Sequence, residues 1–270
     1  MSGRERRAMM LSVVIPARNE AANIGPTLEG LRGALGRAGI PYELLLVDDG
    51  STDATVATVE ALRAADPGVR VVQNPGPHGF GRAVRYGLDR FTGDAVIIAM
   101  ADGSDDPEDA VRYYHVLRDE ADCAFGSRFI RGGGTVDYPR FKLAINRLAN
   151  LFIRRLFRIG YNDTTNAFKG YRAEVIRGCA PLISPHFNLT VELPLKAMVR
   201  GYSHRVLPIT WRNRKSGTSS LRLDEQGSRY LFIVLHVWLE RLLTKGDYRR
   251  APGERFEPWD ARPSELERSA

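Results

Sequence analysis

Short aliphatic runs alternate with helically spaced apolar positions through the first half of the chain. Leu11–Ile15, closed by Pro16, then Leu44–Val47, Val69–Val72, Ala95–Ala99 and Cys123–Arg128 each read as a strand. Compact apolar runs bounded by turn residues suit strands buried on both faces. After the first run, Ile24, Leu28, Leu31 and Leu35 recur on one face of a helix, with Asn19 or Asn23 placed to cap it. Helices over Ala54–Ala65 and Arg82–Arg90 follow the next runs. This strand–helix alternation predicts an α/β fold with a mostly parallel sheet covered by helices on both faces.

The second half is less regular. Pro107 at a first helical position, behind Asp106 as N-cap, opens another helix. Arg131-Gly-Gly-Gly134 reads as a mobile loop, Arg140–Arg158 as a long basic helix, and Asp163–Tyr171 as irregular and extended. Thr190–Arg200 is helical, Arg205–Thr210 a strand, and Asn213–Ser220 polar and turn-rich. A last helix spans roughly Asp224–Lys245. The chain divides into a flexible basic leader (1–9), one globular domain (10–225), a C-terminal amphipathic or apolar helix (226–248) and a Pro-, Glu- and Arg-rich tail (249–270) expected to be disordered. No internal repeat is found.

Charge narrows the partners. The net charge of +7 over 270 residues is uneven, with basic stretches at Gly3–Arg7 and Arg128–Arg158. Such patches favour phosphates or anionic lipid headgroups. Nucleic acid is disfavoured, because no recognition motif or interleaved aromatic–basic module is present. Cys123 and Cys179 lack metal-ligand spacing and read as buried free thiols of a reducing cytosol. No N-terminal apolar core marks a signal peptide, and no window is long and apolar enough to span a bilayer. A cytoplasmic chain is expected, peripheral on the membrane at most.

Three constellations carry candidate chemistry. Val47–Asp53 places Asp48 and Asp49 at a strand's carboxyl end, ahead of Gly50 and Ser51, where open α/β sheets bind ligands. One carboxylate could accept from a base N–H and the other from ribose hydroxyls; read alone, the turn is equally a plain strand–turn–helix capped by Ser51 or Asp53. Asp102, past another strand end, with a nucleotide diphosphate would suffice for Mg²⁺, which keeps several waters. Asp105 and Asp106 lie in the same acidic turn and are open to a solvated or capping role. The second constellation is basic: Arg128 after Gly126-Ser127, then Arg131, Arg140, Lys142 and Arg147, with a solvated face the reading for Arg154 and Arg155. Arginine pairs bidentately with phosphate. The third, Asn213–Leu221, is a Gly-containing loop whose Arg214 and Lys215 could close over a diphosphate.

The set Val14–Glu20, Val47–Asp53, Ala101–Pro107 and Gly126–Arg128 resembles the large family of inverting glycosyltransferases. Within it, Arg131–Gly134, Asn146–Asn150, Asp163–Lys169 and the spacing of Arg214, Gly217 and Ser219 are similar to dolichyl- and polyprenyl-phosphate sugar transferases. The likeness runs in order over residues 11–245 and implies a GT-A fold, a Rossmann-like nucleotide half joined to an acceptor half. It implies nucleotide contacts from Pro16, Arg18 and Glu20, base and ribose contacts from Asp48 and Asp49 with Ser51, further nucleotide-sugar contacts from Ala101, Asp102 and Ser104, and a metal (Mg²⁺ or Mn²⁺) on Asp102. It places Arg128, Arg131, Lys142, Asn146 and Arg147 around an acceptor phosphate, and Arg214 and Ser219 in the closing loop. Met100 stands where a first metal-motif aspartate is usual, Lys169 where arginine is usual, and Ser220 where lysine commonly follows the serine.

The expected reaction is transfer of a hexose from a nucleoside-diphosphate sugar to a polyprenyl phosphate, with inversion and with Asp102, Asp105 and Arg128 as the candidate catalytic groups. A hydroxyl acceptor would instead require a base, for which Asp105 and Glu192 are candidates; a nucleotide-sugar-binding protein with impaired catalysis is the third reading. The apolar segment Tyr230–Leu243 is either a helix lying in a membrane interface, with Lys245, Arg249 and Arg250 on headgroups, or a core helix packed on the domain. A dinucleotide oxidoreductase is disfavoured, since Pro16–Asn23 lacks Gly-x-Gly-x-x-Gly.

Overall fold

A computed structural model describes residues 9–212 and 223–250. The elements run β1 (Leu11–Ala17), α1 (Ala21–Arg37), β2 (Tyr42–Asp48), α2 (Thr55–Ala65), β3 (Val69–Gln73), α3 (Phe80–Leu88), β4 (Ala95–Ile98), α4 (Pro107–Asp119) and β5 (Cys123–Ser127). Then come β6 (Gly134–Val136), α5 (Arg140–Phe157), β7 (Lys169–Arg172), α6 (Ala173–Gly178), α7 (Leu189–Val199), β8 (His204–Pro208), β9 (Thr210–Arg212) and α8 (Leu223–Leu243). The closing loop with Arg214 and Ser219, and nearly all of the leader and of the tail, lie outside the described residues.

The central sheet has the order β3-β2-β1-β4-β7-β5-β8. Pairings β1–β2, β1–β4, β2–β3 and β5–β8 are parallel. Strand β7 is antiparallel to both β4 and β5, so β1, β2, β4 and β5 all point the same way. Their carboxyl ends therefore share one edge of the sheet, where α/β folds bind ligands. Two layers cover the sheet because its strands are apolar on both faces. Ile24, Leu28 and Leu35 of α1 pack with Tyr113 and Leu117 of α4 on one face. Ala83 and Val84 of α3 pack with Val175 of α6 and Leu193 of α7 on the other.

The sequence pattern left β7, α6 and the small β6–β9 sheet undistinguished. Lys169–Arg172 is short, carries two cations and has no apolar alternation, yet Gly170 lets it slot against α4: a Cβ there would lie 2.9 Å from Leu117 Cδ1. The triple-glycine loop ends in β6, whose Gly134 pairs in register with Thr210. A separate cluster joins Ile153 and Phe157 of α5, Val191 and Leu195 of α7, and Ile233, Val234 and Val237 of α8. The last helix thus packs one face on the domain, as a core helix does. Among the described residues no helix is long and apolar enough to cross a membrane. Cys123 and Cys179 are free and buried; burial raises Cys123 well above its ordinary pKa and Cys179 to about 12.

Candidate active site

The loops leaving β1 and β2 are stitched together. Asn19, held at φ 56, donates from its backbone N to Ser51 Oγ (3.0 Å) and accepts from Thr52 N at its Oδ1 (2.8 Å). Asn19 does not cap α1. That helix's open N–H at Ala21 is satisfied across the gap by Asp53 Oδ2 (3.1 Å), and Asp53 Oδ1 also accepts from Thr55 N (2.9 Å). These contacts, Thr55's hydroxyl first, hold Asp53 below its ordinary pKa. Pro16 is buried inside β1 opposite Val47, Arg18 is exposed at the following loop, and Glu20 accepts from Asn23 Nδ2 (2.7 Å).

Asp48 and Asp49 are both buried. Asp48 Oδ1 accepts from Ser51 N (3.0 Å). Asp49 gathers the loop after β3: it accepts from Asn74 Nδ2 (2.7 Å) and Gly79 N (2.7 Å), with His78 Nδ1 at 3.2 Å. Gly79 sits at φ 147, and a Cβ there would stand 2.7 Å from Pro185 O, so only glycine delivers this N–H. Asn74, His78 and Gly79 were not singled out as site residues from the sequence. Their signal was the glycine-rich stretch 74–81, whose side chains have no meaning until a strand-end acid is placed above them.

The turn after β4 holds the metal-motif residues. Ala101 is buried, its carbonyl accepting from Thr27 Oγ1 (3.0 Å). Asp102 is buried and its Oδ1 accepts from Ser104 N (3.1 Å). Ser104 Oγ is buried and has no hydrogen-bond partner among the described residues, which is unusual for a hydroxyl. A carboxylate beside an unsatisfied hydroxyl fits a hard divalent cation that takes its remaining oxygens from a diphosphate and water. No group of three or more His, Cys, Asp or Glu side chains suited to a metal occurs among the described residues. Asp106 caps α4, accepting from Glu108 N (3.0 Å). Asp105 accepts from Met100 N (2.9 Å). Burial, with the Asp102 charge adding to it, raises its carboxyl to about 7 against the lowering effects of the Met100 N–H and Arg128.

At the end of β5, Arg128 is buried and locked to Asp163: Nε to Oδ2 2.8 Å, Nη2 to Oδ1 2.6 Å, with the Arg128 backbone N also donating to Oδ2 (2.9 Å). Burial opposes the charge, but Asp163 more than offsets it and holds the guanidinium above its ordinary pKa. Arg128 also lies over the rings of Phe129 (5.2 Å) and Tyr138 (5.7 Å). Arg147 stacks on the same Phe129 at 5.2 Å and is exposed, as is Arg131. Lys142 is half-buried on α5. Asn146 Oδ1 accepts from Asn150 Nδ2 (2.7 Å) and Thr165 Oγ1 (3.1 Å), tying α5 to the Asp163 loop. Asp163 is the partner that a buried arginine requires; its identity became visible only in three dimensions.

Two expectations change. Glu192 is not placed to act as a base: it accepts from Ile183 N and Ser184 N (2.8 Å each) and pairs with Lys196 at 3.0 Å, deep in the core. Arg250 does not face outward toward headgroups; it contacts Asp122 (3.2 Å) and Glu174 (3.5 Å), and its N–H donates to Arg200 O. Lys169 is fully buried and donates to the carbonyls of Thr164 (3.0 Å), Asn166 and Thr190 (3.1 Å). It works as a buried clamp on the Asp163 loop.

A mostly parallel Rossmann-like sheet, with acids leaving β2 and β4 and a basic helix following β5, defines a GT-A glycosyltransferase. The chain belongs to glycosyl transferase family 2, whose model matches residues 12–179. It is similar to the polyprenol monophosphomannose synthase of Mycolicibacterium smegmatis, 33% identical over 215 residues, covering 77% of this chain and 80% of that one. The undecaprenyl-phosphate mannosyltransferase of Micrococcus luteus is 30% identical over 220 residues, covering 79% and 88%. Among solved structures, glucosyl-3-phosphoglycerate synthase of Mycobacterium tuberculosis, in complex with Mn²⁺, UDP and glucosyl-3-phosphoglycerate, superposes with a TM-score of 0.64 at 20% identity. That match covers 86% of this chain and 80% of the other, a likeness of fold.

Proposed function

We propose that this glycosyltransferase moves a hexose, mannose by likeness to its relatives, from a nucleoside-diphosphate donor to a polyprenyl phosphate, with inversion and divalent-metal assistance. The observation that carries the reading is the division of one sheet edge into two charged halves. Asp48, Asp49 and Asp102 leave β2 and β4 on the donor side, while Arg128, Arg131, Lys142 and Arg147 follow β5. In this reading Asp48 and Asp49 form the base and ribose floor with Ser51, and Pro16, Arg18 and Glu20 wall it. Asp102 and Ser104 would hold Mg²⁺ or Mn²⁺, which supplies positive charge for the leaving diphosphate. Arg214 and Ser219 would close the donor side.

The acceptor half follows from its charges. A phosphate monoester has a second pKa of about 6, so it is largely dianionic at neutral pH and needs no strong base. Catalysis then rests on placing the nucleophile and compensating charge. Asp163 fixes the Arg128 fork, and in this reading the same guanidinium supplies compensating charge to that anion. Arg147 and Arg131 bring cations that form no ion pair among the described residues. A lipid acceptor also requires a peripheral approach to the membrane. Incubating the protein with GDP-mannose or UDP-glucose, Mg²⁺ or Mn²⁺, and detergent-dispersed undecaprenyl phosphate tests the reading. A chloroform-extractable glycolipid is expected, and its absence with every donor would refute it.

A second reading is favoured by the placement of the Asp105 carboxyl, held on Met100 N in the turn that carries Asp102, where burial pushes it up to about 7. A hydroxyl acceptor on a glycan would need such a base. Sugar transfer to a free glycan but not to undecaprenyl phosphate would select it, and release of sugar from the donor would exclude a binding protein without catalysis.

A further inference from the structure

The carboxyl ends of three helices meet at the edge of the sheet opposite the one that carries Asp102 and Arg128. Arg250 ties this corner to the strands. Its backbone N donates to Arg200 O and its guanidinium pairs with Asp122, the residue before β5, whereas Arg128 follows β5. Between the last turns of α5, α7 and α8 lies a cavity of about 390 Å³, within the size range of small-molecule sites. Phe157, Ile159, Met198 and Val199 give it an apolar wall.

Among the described residues five cations line this cavity, Arg158, Arg200, Arg241, Lys245 and Arg249, against one acid, Glu240. Asp247, in the same turn, is exposed and outside the lining. Glu240 is already neutralised, since Arg200 holds both its oxygens at 2.8 and 3.0 Å. Helix C-termini carry partial negative charge and attract cations, so part of this charge serves the fold. Arg200 does so at the carbonyls of Gly178 and Ala180, and Arg241 at the carbonyl of Phe157. The side chains of Arg158, Lys245 and Arg249 donate to no carbonyl and pair with no carboxylate among the described residues. Backbone conformation marks two of these three. Arg158 and Lys245 stand at φ 53 and 49 just past α5 and α8, a left-handed conformation that glycine takes at helix ends without penalty. An arginine and a lysine there cost stability that glycine would not, and what they add is charge at the mouth of the cavity. Backbone strain kept at a concave, charged place points to binding.

We propose that this cavity binds a small, water-soluble phosphate ester or diphosphate, at a site separate from the donor and acceptor groups on the opposite edge. Arginine and lysine recognise phosphoryl oxygens, and three open cations match a group carrying about two negative charges or more. The apolar wall suits the body of an ester. Phe157 and Met198 close the inner side, both packed in the α5–α7–α8 cluster, so the site takes a compact molecule and not an acyl chain. The inference stands apart from the lipid-acceptor reading and does not need it.

The test is calorimetric titration of the full chain with inorganic pyrophosphate, in EDTA so that no metal assists binding at Asp102. Saturable binding is expected. In Arg158→Gly/Lys245→Gly the dissociation constant should rise about tenfold or more, the order of one charge-assisted contact. The melting temperature of that variant should hold or rise, because both positions receive the residue their backbone favours. Arg249→Gln, which leaves the backbone alone, should weaken pyrophosphate binding at an unchanged melting temperature. Asp102→Ala should bind pyrophosphate as the wild type does. No saturable binding, an affinity unmoved by both cation variants, or an affinity lost in Asp102→Ala overturns the site. A melting temperature that falls in the double glycine variant assigns those cations to the fold and overturns it too. So does equal affinity for sulfate, or occupancy by micellar phosphatidic acid where pyrophosphate does not bind.

Discussion

Arg128 and Asp163 form a buried bidentate ion pair, 2.8 Å and 2.6 Å between donor and acceptor atoms, reinforced by the Arg128 backbone N–H on the same carboxylate. The pair couples the end of β5 to the loop that Lys169 and Asn146 hold from either side. Removing one member leaves a buried charge without compensation. Asp163→Asn should therefore lower unfolding free energy by about 3–5 kcal/mol and reduce transfer. The double variant Arg128→Met/Asp163→Leu should recover most of that stability but none of the activity, because the cation at the acceptor side is gone. Urea denaturation with parallel transferase assays checks both halves. Equal stability loss in single and double variants would show that the pair is not the cause.

Asp102→Ala should abolish the extra thermal stabilisation that Mg²⁺ or Mn²⁺ adds to a bound nucleotide sugar and reduce turnover by about 10²–10³. Ser104→Ala should act more mildly, with a loss of about tenfold in apparent metal affinity. Titrating each cation in a thermal-shift assay with saturating nucleotide sugar reads both. Undiminished metal dependence in Asp102→Ala would place the cation elsewhere.

Burial raises the Asp105 carboxyl to about 7, so the folded state keeps a proton that the unfolded chain releases near pH 4. At this position the folded state binds more protons than the unfolded one across that interval, so the Asp105 contribution to stability falls as pH rises from about 4 to 7. The span corresponds to at most about 4 kcal/mol. Asp105→Asn should remove that contribution to the slope, as chemical denaturation at pH 5 and pH 7.5 would show. The same variant separates the acceptor readings. With a polyprenyl phosphate it should retain most activity, since the nucleophile is already anionic; with a hydroxyl acceptor it should lose the alkaline-side rise in rate.

How much of this was legible in the sequence depends on whether a residue's role is local. The strands from Leu11 to Cys123 announced themselves because a strand buried on both faces must be apolar along its length. Asp106 with Pro107 announced a cap because the geometry of a helix start is written in adjacent residues. Asp163 stood inside a quoted motif without a role, since nothing in its neighbourhood says that Arg128 will be buried against it. Strand β7 hid for the same reason: its two cations are tolerable only because Lys169 finds carbonyls and Arg172 donates to Leu117 O. Glu192 looked available because a helix with apolar neighbours does not reveal that two backbone N–H groups from residues 183 and 184 will reach it.

Lys169 supplies a prediction with the opposite sign to Asp105. Burial depresses its ammonium to about 7; nearby Asp163 favours the charge and Arg128 opposes it. The unfolded lysine holds its proton up to its ordinary value of about 10.5. Between these values the unfolded chain binds more protons, so the lysine's contribution to stability rises with pH and is lost as pH falls toward 7. Replacement by methionine keeps the volume but leaves the carbonyls of Thr164, Asn166 and Thr190 without this donor. Unmet buried acceptors cost about 1–3 kcal/mol. The advantage of wild type over Lys169→Met should therefore widen from pH 7 to pH 9, by up to about 3 kcal/mol, when unfolding is followed in urea. If the gap stays constant instead, the side chain is charged in the fold, and its carbonyl cage, not its burial, governs its proton. In either case the loop bearing Asp163 should loosen in the variant, visible as faster amide exchange at residues 163–168 than in the wild type.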